Sequence, residues 1–244
     1  MQWGVDLKVL MIDILIFLGI ILTTGLAFNI RKLTSGSVVS VSFTFLGMGM
    51  VFVGASRLFL LLGSSGFYNL VNVNLHIWWH LIFYIGIACF VLAGKRINQA
   101  GSETNIEKYR TSDTIVVCLF LLFTLLSFFI AQPLDPILSQ FTGSSIVDTW
   151  GLHHFIAFVF TGVAAVYVYL IKGAWGKLLS VSVYPILAFL FLNAVQHGWE
   201  LLTENLMLIK LDGKTIEQVE GYIILASLIF LFFGFLKVKS ELAK

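Results

Sequence analysis

The chain has 244 residues, of which 59% are hydrophobic and only 11% charged, and its formal net charge is +2. Soluble domains carry about 25% charged residues. With a mean hydropathy of +0.96, this chain has too little polar surface to cover itself in water and belongs in a bilayer. The small positive balance, with no basic stripe and no phosphate-cradling glycine motif, argues against nucleic acid as a partner.

The first long apolar run covers 9–30. The segment before it, MQWGVDLK, has no net positive charge, and Arg31 and Lys32 follow the run. That flank pattern suits a retained spanning helix rather than a cleaved leader. A second run covers 38–62 and carries Arg57. The third, 75–95, opens with LHIWWHL, which brings His76 and His80 one helical turn apart. The fourth covers 112–131 and is followed by PLDPILSQF, 133–141, which reads as an amphipathic segment lying in the interface. The fifth, 150–172, opens with His153 and His154. The sixth, 179–202, ends near His197 and Glu200, with Glu204 one turn further on. Asp212-Gly213 then sits between two alternating arms, so 206–219 is expected to form a small β-hairpin on the outer side. The seventh run is 219–237. Cys89 and Cys118 lie inside apolar runs and read as packing residues. Trp78, Trp79, Trp150 and Trp199 read as an aromatic belt.

The expected fold is an all-α integral membrane protein, a single domain over 1–244 folded as a seven-transmembrane-helix bundle. Arg31, Lys32, Lys95, Arg96, Lys108, Arg110, Lys172, Lys177, Lys237, Lys239 and Lys244 all fall on one side of that arrangement. The positive-inside rule then places the N-terminus outside and the C-terminus in the cytoplasm, in a multi-pass protein of the cell membrane.

That topology brings all five histidines to the outer part of the bundle. His76 and His80 share one helix face, as do His197, Glu200 and Glu204. His153 and His154 are adjacent, so only one of them can point at the centre; His154 is preferred. Arg57 and Asp13 are expected at a similar depth as supporting residues. Intramembrane ionisable groups are costly, so their convergence signals a functional site. Neutral imidazole ligates zinc, copper, iron and haem iron. The expected ligand set is His80, His154, His197 and Glu200, with His76, His153 and Glu204 close by. The cofactor is expected to be a transition metal (Fe, Cu or Zn) or haem b, with Arg57 available to a propionate in the haem case.

Seven spans invite comparison with retinal proteins, but the last span, GYIILASLIFLFFGF, has no lysine to carry the chromophore. The chain loosely resembles the seven-span zinc hydrolases of the ceramidase and adiponectin-receptor kind. Those combine Ser, Asp and three His, with an HxxxH pair on the last span. Here the HxxxH pair is on span three, and span seven has no histidine. No residue role therefore carries over. The expected work is redox or electron transfer at the outer face. The alternatives are a metal-dependent hydrolase or lipid enzyme, with Glu200 or Glu204 as base, and a non-catalytic accessory subunit or sensor of a membrane complex. The expected partners are the lipid bilayer, other membrane subunits and an extracytoplasmic redox protein.

Overall fold

A computed structural model describes residues 7–64, 75–100, 152–170 and 177–243. Six α-helices lie in these residues: α1 (Leu7–Leu33), α2 (Val38–Ser64), α3 (Leu75–Ala100), α4 (Leu152–Leu170), α5 (Lys177–Glu200) and α6 (Gly213–Leu242). A π-helical turn, Leu201–Asn205, extends α5. Among the described residues there is no strand. Among the described residues, three stretches are long and apolar enough to cross a membrane: α1, Val39–Leu58 within α2, and α6. Backbone groups in an apolar setting need internal hydrogen bonds, and a helix supplies them within one segment. Hydroxyls in these helices obey the same rule. Those of Thr23, Thr44 and Thr161 each donate to the carbonyl four residues back, at 2.7–2.8 Å.

Six of the seven apolar runs coincide with these helices. The run 112–131 and the amphipathic 133–141 lie outside the described residues.

The hairpin expected over 206–219 does not form. Residues 206–212 are irregular, and Gly213 opens a 30-residue helix. Asp212 is its N-cap. The Asp212 carboxylate accepts from the Thr215 amide at 3.0 Å and from the Thr215 hydroxyl at 2.6 Å. Those hydrogen bonds hold the Asp212 carboxyl below the usual carboxylate range. An isolated hairpin is marginal in water. The capped helix instead continues into a face on which Ile216, Gly221, Ile224, Leu228 and Leu231 are buried.

The helices close into a ring. Each packs on its neighbours in sequence, and α1 packs on α6. Aromatic side chains fill the middle. Phe43 of α2 meets Phe235 of α6 edge to face at 5.3 Å, and Phe90 of α3 stacks on Phe189 of α5 at 5.0 Å. The outer surface is also apolar, with Leu15, Leu18 and Leu22 of α1 and Phe230 and Phe233 of α6 exposed. Helices apolar on both faces suit a lipid surround better than water. Cys89 is buried in this packing.

Two close approaches depend on glycine. At the α2–α3 crossing, a Cβ on Gly86 would stand 3.0 Å from the Gly49 carbonyl oxygen and 3.0 Å from Val53 Cγ2. On α6, a Cβ on Gly234 would stand 2.1 Å from Pro185 Cγ, so the bare backbone makes room for the proline ring. Gly86→Leu is expected to wedge α2 from α3 at a cost of about 1–3 kcal/mol. Thermal unfolding of the detergent-purified protein measures this. An unchanged midpoint would mean that the crossing relaxes freely.

Candidate metal centre

The cluster is built at one end of the ring, and its best-defined members come from α4 and α5. Residues Asn193, Gln196, His197 and Glu200 follow a helical stripe on α5, and all four are buried. His154 reaches them from the first turn of α4. His154 Nδ1 and His197 Nδ1 each lie 2.7 Å from the same oxygen, Glu200 Oε2. An ionised carboxylate only accepts, so each imidazole donates from Nδ1. Gln196 Nε2 donates to the other oxygen, Oε1. Glu200 is thus held from three sides.

Burial is nearly complete. His197 is 0% exposed, Glu200 5% and His154 6%. The edge of Phe83, on α3, seals one side of His197 at 5.1 Å. The two imidazole rings are tilted to one another, with centroids 6.4 Å apart. On its more exposed side His154 Nε2 is 3.8 Å from Glu204 Oε2, on the π turn.

A buried base stands near the cluster. Arg57, buried on α2, stands in the field of three carboxylates: Glu200, Asp13 of α1 and Glu220 of α6. Glu220 also feels Glu200, Glu204 and Glu217. The guanidinium is thus shared among acids from three helices.

The donor set fits a metal ion. His154, His197 and Glu200 each offer a ligand atom, and these atoms all lie within 4.8 Å of one another. Two imidazoles and a carboxylate are a set that iron and zinc both accept with positions left open. His197 Nε2 is buried and has no hydrogen-bond partner. With Nδ1 donating, that nitrogen holds a lone pair, and an electrophile is what it lacks. Metal-bound histidines commonly donate their other N–H to a carboxylate, as both rings do here.

His154, His197, Glu200 and Glu204 come together, and Arg57 and Asp13 stand close by. His154 is turned toward Glu200. His76 and His80 lie on the first two turns of α3, and His153 lies beside His154 on α4. The side chains of these three lie outside the described residues. Gln196, Glu220 and Phe83 are members that sequence reasoning did not single out. Gln196 had a signal, since it is one turn from Glu200 on the His197 face.

The described residues are all-helical, with membrane-length apolar helices and a buried histidine–carboxylate cluster. Comparison with protein-family models, curated proteins and solved structures finds no match.

Proposed function

We propose that the chain is a multi-pass protein of the cell membrane that holds a redox-active iron or copper ion on His154, His197 and Glu200 and works in electron transfer at the outer face. The observation that carries this reading is the trio itself: two imidazoles and a carboxylate, all buried, with their ligand atoms within 4.8 Å. Buried His197 Nε2, without a hydrogen-bond partner, supports a cation there. A metal on this set would supply an electron-accepting or electron-donating centre. The protein's own groups would orient it and exclude water: Gln196 fixes Glu200, and Phe83 covers His197.

The orientation is part of the proposal. Arg31 and Lys32 end α1, Lys95 and Arg96 lie near the end of α3, and Lys237 and Lys239 near the end of α6. These ends are remote from the cluster, which supports a cytoplasmic location for them and an outer location for the site. The direction of the helices supports seven spans. Helix α3 runs away from the cluster and α4 starts at it, so a further crossing over 112–131 would join them. The electron partner would be an extracytoplasmic redox protein or a neighbouring membrane subunit.

A hydrolytic reading is favoured by one observation. Glu204 is 43% exposed and stands beside His154, where a carboxylate could act as base on a metal-activated water. Elemental analysis of the detergent-purified chain separates the two. About one iron or copper per chain is expected, and zinc would move the hydrolytic reading forward. A protein that carries no metal and refuses added Co2+ would overturn both and leave an accessory or sensor role.

A further inference from the structure

We propose that Glu204 is the port of the centre, the exchangeable carboxylate through which a divalent cation enters and leaves the buried His154/His197/Glu200 set. This rests on reading that set as a metal site. Among those four groups, exposure changes along one line: Glu204 is 43% exposed at the side chain, His154 8%, Glu200 6% and His197 0%. His154 connects the two ends of that line. Its Nε2 faces Glu204 at 3.8 Å and its Nδ1 meets Glu200 at 2.7 Å. An ion approaching from solvent therefore meets Glu204 before any buried ligand.

The backbone under Glu204 differs from the rest of the helix. Leu201–Asn205 is a π turn, closed by the Leu206 amide on the Leu201 carbonyl at 2.8 Å. The turn is wider than an α turn, and such insertions in helices occur often at functional sites. Here the wide turn carries Glu204 out to the surface while Glu200, on the α-helical side, stays buried. Glu217, near the start of α6, adds negative potential around Glu204. A single-sign rim raises the local concentration of oppositely charged ligands and their on-rate.

A port acts on rates, whereas a permanent ligand acts on affinity. Stopped-flow mixing of the detergent-purified full chain with Co2+, followed by absorbance, reads the association rate; release into a chelator reads dissociation. Glu204→Gln is expected to slow both, association on the order of tenfold, with little change in equilibrium affinity. Glu204→Asp, which keeps the charge, should recover most of the rate. The wild-type association rate should also fall more steeply with salt than that of Glu204→Gln. Rates in Glu204→Gln equal to wild type would overturn the port while leaving the metal site standing. A loss of affinity with unchanged association would make Glu204 a permanent ligand and also overturn it. Failure of the wild-type chain to bind Co2+ would remove the metal reading itself, and the port with it.

Discussion

His197→Ala is expected to weaken metal binding by more than about 100-fold, the upper end of what loss of a group supporting a ligand costs. The residue is wholly buried, and its Nδ1 shares Glu200 Oε2 with His154. Removing it takes away one of the three proposed ligands and opens a cavity against Phe83. No neighbouring group in the trio can take its place, because His154 is already committed to the same oxygen. Isothermal titration with Co2+ measures the loss, and circular dichroism checks that the variant remains helical. A helical variant that binds Co2+ as tightly as wild type would sink the assignment of His197 as a ligand.

Arg57→Met is expected to act in two opposite directions. Stability should fall by about 3–5 kcal/mol, the cost of breaking a buried ion pair by removing one partner. Asp13, Glu200 and Glu220 lose their shared counter-charge. In molecules that still fold, divalent-metal affinity should rise, because the cation that competes with the metal for those carboxylates is gone. Added Co2+ should then restore part of the lost stability, since a ligand that binds only the folded state stabilises it. Thermal unfolding with and without Co2+ measures both effects. Adding Glu220→Gln should relieve part of the destabilisation, and the non-additivity gives the coupling between the two residues. Arg57→Met with wild-type stability would show that Arg57 is not the counter-charge of the cluster.

Much of the helical framework is legible in the sequence because a long apolar run has few alternatives. Residues 75–95 read as a span, and α3 begins at Leu75 and runs on to Ala100. The meeting of His154, His197 and Glu200 was also legible, since alternating helix direction brings the start of one helix beside the end of the next. What failed was 206–219. Asp-Gly serves a type I′ turn and an N-cap equally well, and the deciding residue was Thr215, which completes the cap. Glu220 carries no such signal in the sequence. Nothing in a helix apolar on all sides tells which face of α6 meets Arg57. That is decided by packing against α1 and α5, through positions such as Gly221 and Gly234.

The ring in which α1 closes on α6 has a consequence for synthesis. The ribosome delivers Asp13 first and Arg57 next, and α1 packs on α2. The first acid can therefore be neutralised by the first buried base while most of the chain is still unmade. His154, Glu200 and Glu220 arrive afterwards, in that order. The three residues that could share an ion sit on two helices, α4 and α5, both made after Arg57. The counter-charge of the cluster is therefore in place on α2 before the cluster itself exists, and the order of the helices spares Glu200 from ever being delivered into an apolar surround without a base at hand.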